Sequence, residues 1–508
     1  MIIRLRRPSL LAAVALLAGC VSVSRREGAE QVAQLARPRL AAAFAWDQAG
    51  DTAALQARSA ELLAAPLTPD SAFRIAQLHS PEITTRYAEL GIAQADVVAA
   101  SRIGNPGLSA SALADGGGSK ISLSLDLPLA DLLLLPARKR LAESEYQRAQ
   151  LSIAAALVNL AADTADAWYA AAGAEQIASM HEAIAGAAAA AAELATRFHA
   201  AGNISALQLN HEQAAATQAR IRALAARAEA SRTRLALNTH LGLSSAQAAQ
   251  WTLALPLAAP LDSDDALGDL QTLAQTQRLD PLAAQQEVAG LQQALTLARR
   301  WRLLGQMEVG AEREREADGK RLSGPALSLA LPLFDQGQAA IARAQARLEQ
   351  GQAALTRLRL DIDNEVRAGV ERVAAQREIA QTYRTALIPQ REAIVAGEGE
   401  RYNYMLIGAF ELLQAKQQEF DAYQAYLEAV RDYWQARVAL TRAVGTLLPS
   451  DAQPQQPALD MERVLRPAAS GHDSHKHHSP KTDASHGGHG NHEDGNHDAQ
   501  TLQQEDSP

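Results

Sequence analysis

A nine-residue segment that occurs twice constrains this chain more than any other feature. Leu327-Ser-Leu-Ala-Leu-Pro-Leu-Phe-Asp335 repeats Leu123-Ser-Leu-Asp-Leu-Pro-Leu-Ala-Asp131 at seven of nine positions. Ahead of the proline each copy alternates apolar with small or polar residues, the period of a strand with one apolar face. Beyond it the period lengthens to that of a helix, so each segment hands a strand to a long helix. Two such junctions, one near residue 127 and one near residue 331, mark a duplicated unit rather than a string of unrelated domains.

Read in order, the repeat fills most of the chain. Residues 67–254 form the first copy. Thr68-Pro69-Asp70 starts a helix that Asn105-Pro106 stops. Strands follow near 106–114 and 120–128, joined as a hairpin by Asp115-Gly-Gly-Gly-Ser119. A long helix then runs from Ala137 to about His199, with a seam through Ala149, Ile153, Ala156, Leu160, Asp163, Ala167 and Ala170. Ala200-Ala-Gly-Asn203 interrupts it. The return helix from Ser205 to Leu241 has two apolar seams, one through Ala216, Ala219, Ala223, Ala226 and Ala230, the other through Ile221, Leu224, Ala228 and Leu235. A helix with two seams contacts two neighbours.

Residues 255–448 repeat the programme. Strands are expected near 303–312 and 324–333, on either side of a charged turn from Arg313 to Arg321. A helix seam follows through Ile341, Ala344, Leu348, Gly351, Leu355, Leu358 and Ile362. The helix tip lies near Tyr402 to Gly408, and a return helix reaches Gly445. Arg197-Phe198 answers Arg401-Tyr402, Gly242 answers Gly445, and the second tip reads as two residues longer than the first.

Composition narrows the class. Alanine-rich stretches with Gln, Leu, Arg and Glu, and few aromatics, suit long helices packed at close range. The net charge of -9 and the absence of a clustered basic face argue against nucleic acid as a partner. There is no His-Glu-x-x-His pattern, and the Gly116 loop lies between strands rather than opening a helix, so nothing points to an enzyme. The fold class expected is mainly α with a small antiparallel β part. Four strands with one apolar face cannot close a barrel, and open edges are not tolerated in lipid. Three copies would supply twelve strands, wide enough for an open lumen, with the helices continuing as a tube.

At the start, Arg4, Arg6 and Arg7 precede an apolar run from Leu10 to Leu17, too short to span a bilayer. Residues 1–19 therefore read as an export signal. Leu17-Ala18-Gly19-Cys20 resembles the bacterial lipoprotein box, which implies that Cys20 carries a covalent lipid; Val21 and Ser22 after it imply delivery to the outer membrane. Cys20 is the chain's one cysteine, so an internal disulfide is excluded. Residues 20–66 read as a lipidated mature N-terminal segment of no assigned role, polar and alanine-rich without a strong period.

The ordered set of Asn105-Pro106, Leu331-Pro-Leu-Phe-Asp335 with Gly337, and the two Arg-aromatic tip motifs resembles the TolC family of trimeric outer-membrane efflux ducts, over roughly residues 68–448. Its lipid box and second tip resemble the heavy-metal branch of that family. The resemblance implies a homotrimer, a twelve-stranded transmembrane β-barrel in outer-membrane lipid, a periplasmic α-helical barrel, and partners in a periplasmic adaptor and an inner-membrane pump of the RND type. It also implies adaptor contact around the tip residues Arg197, Phe198, Gly202, Arg401, Tyr402 and Gly408. The family's periplasmic gate maps onto Glu411 and Gln414, where one acid is kept and one lost. Three carboxylates in a constriction would favour cations, while the plain alternative for Glu411 is a solvated helix-tip residue. Met405 reads as packing or adaptor contact ahead of a soft-metal ligand.

Residues 449–508 abandon helical periodicity and read as a disordered, His-rich tail. Eight of the chain's thirteen histidines fall there. His472, His475, His477 and His478 form one cluster; His486, His489, His492 and His497 form another, with acids between. Neutral imidazole suits Cu(II), Zn(II) and Ni(II), so the tail is a candidate for loosely bound metal, with no obligatory cofactor elsewhere. The plain alternative is a solvated low-complexity tail. Three functions stay open: an exit duct for heavy-metal ions, copper first; a duct of the same fold for organic solutes; and a periplasmic metal-binding coiled-coil lipoprotein without a pore.

Overall fold

The computed structural model describes residues 25–41, 52–115, 118–302, 307–316, 318–330 and 333–459. The tail expected to be disordered from residue 449 begins ordered, with a 3-10 turn at Pro449–Ala452 and a bridge from Pro457 to Ala258; residues 460–508 and Cys20 lie outside the described residues.

Alanine spacing builds the beginning of the described chain. Helix α1 (Arg25–Ala36) buries Ala29, Val32, Ala33 and Ala36 in one cluster with Phe73, Leu90, Ile153 and Leu157. The steps of three and four are those of a helix face. The N-terminal segment read as having no strong period thus holds a helix, and among its described residues a second one is α2 (Thr52–Ala64). Alanine is small enough to bury fully yet too weakly apolar to stand out as a stripe. Helices α3 (Pro69–His79) and α4 (Pro81–Ala100) follow, α3 opening on a capping box between Thr68 and Ser71 with Pro69 in its first turn.

Strands β1 (Gly107–Asp115) and β2 (Gly118–Pro128) lead to α5 (Leu129–Ala200) and, after the first tip, to α6 (Ala206–Leu241). At 1.5 Å per residue the 72 residues of α5 reach about 108 Å. This helix begins at Leu129, eight residues before the expected Ala137, and runs through Pro136. Pro136 removes one bond to the Leu132 carbonyl, a local loss that the intact turns on either side outweigh. Helices α7 (Leu267–Gln277) and α8 (Leu279–Arg300) then return to strands β3 (Met307–Arg315) and β4 (Arg321–Leu329). The chain continues with α9 (Gln338–Thr382), a π-helical segment at Tyr383–Leu387, α10 (Ile388–Asn403), the second tip and α11 (Ala409–Val444). The π segment abuts Pro389, which lacks the N–H that an unbroken α-helix would use.

Further boundaries differ from expectation. Strands β3 and β4 extend three residues further into the charged turn, because Arg313 to Arg315 pair across to Arg321 to Ser323, and β4 ends at Leu329 rather than near 333. The second junction is not direct: Gly337, at φ 80°, and Asp335, which accepts its N–H at 2.9 Å, form a bend before α9. No such bend precedes α5.

The four strands form one antiparallel sheet in the order β1-β2-β3-β4. Irregular connections are sealed onto the helices at mid-length by aromatic residues. Trp168 Nε1–H donates to the Leu67 carbonyl at 2.8 Å, Trp434 Nε1–H donates to the Ala258 carbonyl at 2.7 Å, and Tyr169 stacks on Trp434 at 5.6 Å. Buried Arg437 donates from Nη2 to Ser450 at 2.9 Å and to Asp451, which pairs its charge out of water while its Nε finds no partner. No helix among the described residues is long and apolar enough to cross a membrane.

Candidate functional site

The helix tips carry most of the candidate residues, and their backbones match atom for atom in hydrogen bonding. In the first tip the N–H groups of Ala201, Gly202 and Asn203 donate to the carbonyls of Arg197, His199 and Phe198. In the second, Tyr404, Met405 and Leu406 donate to Glu400, Tyr402 and Arg401. Every position is displaced by 203 residues, five residues link the helices in each tip (201–205 and 404–408), and α6 and α11 both contain 36 residues. The C-caps Gly242 (φ 69°) and Gly445 (φ 76°) keep the same displacement. The second tip is therefore not two residues longer. The Arg-aromatic motifs also slip by one: Arg197 corresponds to Glu400 and Phe198 to Arg401, since the repeated dipeptide is not in register with the repeated turn.

Gly202 sits at φ 79°, where a side chain is strained, and its counterpart Met405 takes φ 57° without being glycine. Met405 is 92% exposed, with exposed Tyr404 and Leu406 beside it. Arg197 pairs with Glu193 and Arg401 with Glu398, both at exposed positions. Phe198 and Tyr402 are exposed as well. The two tips meet through His211 of α6 and Phe410 of α11, ring centroids 5.4 Å apart.

Gly408 is the N-cap of α11, and Glu411 lies in the first turn. The Glu411 carboxylate folds back so closely that a Cβ on Gly408 would meet its Oε2 at 3.1 Å. A carboxylate there is favoured by the helix dipole, so Glu411 has a local reason to be acidic in a single chain. Gln414, one turn on, is exposed. Gln208 occupies the position of Glu411 in the first tip, where its side chain accepts the Ser205 N–H and completes a capping box. The eight tail histidines and Cys20 lie outside the described residues, and no group of three or more His, Cys, Asp or Glu able to hold a metal occurs among those described.

Sheet chemistry is sorted by face. The register places Leu108, Ala110, Leu123, Leu125, Leu127, Val309, Ala311, Leu327 and Leu329 on one side. The other side holds Ser109, Ser111, Ser122, Ser124, Asp126, Glu308, Glu312 and Glu314. Serine pairs bridge it at 2.8 and 2.7 Å, and Glu314 pairs with Lys120. Leu108, Leu123, Leu125 and Leu327 are all exposed, so the apolar face is bare in the single chain. Both outer strands also lack a partner on one side among the described residues. The second seam of α6 is bare too, with Ile221, Leu224 and Leu235 each more than half exposed, whereas Ala219, Ala223 and Ala230 of the first seam are buried.

This combination of a short open sheet and very long paired helices is shared with solved structures. A membrane protein from Pseudomonas aeruginosa superposes with a TM-score of 0.65 at 20% identity, covering 80% of this chain and 98% of that one. The outer-membrane protein VceC of Vibrio cholerae gives 0.61 at 19%, covering 74% and 96%. The fold is shared with outer-membrane proteins of known structure. CusC, whose structures concern folding and transmembrane channel formation, has the same fold at a TM-score of 0.62 and 12% identity, covering 80% of this chain and 97% of that one. No family model and no curated protein matches the sequence.

Sequence reading missed the acidic residues of the polar sheet face. The alternation of Glu308, Val309, Ala311 and Glu312 was visible, but only the register of β2 against β3 brings Asp126 and Glu314 to the same side.

Proposed function

We propose that this chain is one third of an outer-membrane exit duct in a tripartite efflux system. Three copies would join β1 of one to β4 of the next, closing twelve strands with the apolar face toward lipid and the acidic face toward the lumen. The helices would continue as a periplasmic tube that meets an adaptor and an inner-membrane pump, of the RND type by resemblance. Cys20 would add a lipid anchor in the outer membrane. The duct itself performs no chemistry; passage is passive.

One observation carries the reading: an exposed apolar sheet face on a sheet with two unpaired edges. In water that face costs on the order of 25 cal/mol per Å² of apolar surface, and in lipid the open edges would cost several kcal/mol per unsatisfied backbone group. Only closure by further copies removes both costs. The bare second seam of α6 supports this, since each helix in a closed ring packs on two neighbours.

The cargo we propose is a heavy-metal cation, copper first. Glu308, Glu312 and Asp126 support it, because carboxylates lining a narrow lumen concentrate cations. So do the tail histidines, as a flexible set of ligands to capture metal. Glu411, with Gln414, would gate the periplasmic end. The chain should raise metal tolerance when expressed and lower cellular metal in accumulation assays. Unchanged metal tolerance with new sensitivity to dyes or antibiotics on deletion would move the cargo to organic solutes. In planar bilayers Glu411→Gln should reduce cation preference, and an unaltered preference would remove Glu411 from the gate.

A further inference from the structure

The segment Glu312-Arg-Glu-Arg315 alternates charge at the period of a strand. Its acids therefore project to the polar face and its bases, Arg313 and Arg315, to the apolar one. Across the turn Arg321 lies directly opposite Arg315 on that same face, and Ser323 lies opposite Arg313. Three guanidinium groups thus gather at the turn end of a surface made mostly of Leu, Ile, Val and Ala. All three are exposed, and none has an ion pair among the described residues. Of the nearby acids, Glu314 pairs with Lys120 on the opposite face and Asp318 with Lys320 within the turn, while Glu312 shares the face of Glu314 and both Glu312 and Glu316 act on Lys120.

Like charges directly opposite one another in a ladder repel unless an anion lies between them. Below Arg313 a shallow groove of about 350 Å³ is lined by Leu108, Leu123, Leu125, Ala311, Arg313 and Ser323, together with Glu312 and Gly324. A largely apolar groove that reaches Arg313, with Arg315 and Arg321 beyond it on the same face, suits an amphiphile with hydrocarbon chains and a phosphate head. Guanidinium is the side chain best shaped for phosphate, which it grips through two parallel N–H donors. Arginine on a lipid-facing strand is also tolerated only near the headgroup level.

We infer that Arg313, Arg315 and Arg321 form a binding site for the phosphate groups of an anionic lipid in the outer leaflet, whose acyl chain lies in the groove beneath. The inference rests on the exit-duct reading above, which places the turns outside and the apolar face in lipid. The opposite rim is built differently: the second strand-to-helix junction presents exposed Leu333 and Phe334, an aromatic anchor, with Arg302 against Gly337.

The test uses the full chain in detergent, titrated with bisphosphorylated lipid A and read by native mass spectrometry, with single-channel conductance measured on the same preparation. Lipid A should bind the wild type, and the same lipid stripped of its phosphates should bind about a hundredfold more weakly, as three cations at a membrane surface would give. The triple variant R313Q/R315Q/R321Q should show the same loss, R313K/R315K/R321K should keep most of the binding, and the helix control R343Q/R347Q/R357Q should keep all of it. Equal binding of phosphorylated and stripped lipid would overturn the site, even where the triple variant does not assemble. Complete displacement by inorganic phosphate would overturn it too, because the groove would then contribute nothing. A wild type that neither assembles nor conducts would instead sink the exit-duct reading.

Discussion

At the first tip Gly202 takes the left-handed turn position and Ser205 with Gln208 caps the next helix; at the second, the same two places fall to Met405 and to Gly408, which offers no side chain. The three backbone hydrogen bonds that close each turn are the same. What differs is how much local chemistry holds them. The first tip is closed by its own residues, whereas the second carries strain at Met405 and an N-cap whose demand is met by no side chain. It also exposes Tyr404, Met405 and Leu406. A duplicated unit has kept its geometry while one copy gave up local stability, the pattern expected of an element that moves or docks.

This contrast can be broken by substitution, with amide hydrogen exchange across each tip as the readout. Gly202→Val should have the largest effect, destabilising the first tip by about 2 kcal/mol or more, since a β-branched residue is least suited to the left-handed region. Exchange that stays slow there would refute the special role of Gly202. Ser205→Ala should open the same tip by about 1 kcal/mol through loss of the capping box. At the second tip the signs reverse. Gly408→Ser would create a Ser-x-x-Glu capping box with Glu411, slowing exchange by the equivalent of about 0.5–1 kcal/mol. The flexible Glu411 carboxylate needs to shift only slightly to admit the new Cβ. Met405→Gly should be the smallest, a gain of about 0.5 kcal/mol as relief of strain is partly offset by glycine's freedom in the open state. Slower opening of single channels by Gly408→Ser would tie tip stability to gating; unchanged opening would separate them.

How far the sequence anticipated these features depends on residue type. The strands were legible because leucine alternating with serine has no other reading, and the turn glycines because they mark left-handed positions. The register of the tips was not. Two Arg-aromatic dipeptides made the copies seem aligned one residue away from where their carbonyls align. Helix α1 was hidden because a stripe of alanines looks like composition rather than pattern. The ends of β3 and β4 were hidden because Arg313 to Arg315 resemble a solvated turn until the ladder pairs them. The local reason for Glu411 to be acidic also needed coordinates, since it rests on a side chain folding back over Gly408.

Everything said of the duct depends on the sheet being completed by other copies. Native mass spectrometry of the full chain, released from detergent under conditions in which the same sample conducts ions, counts those copies. Three are expected, with slow amide exchange along both β1 and β4. A conducting species with one copy, or β1 and β4 exchanging as freely as an open edge, would contradict the account.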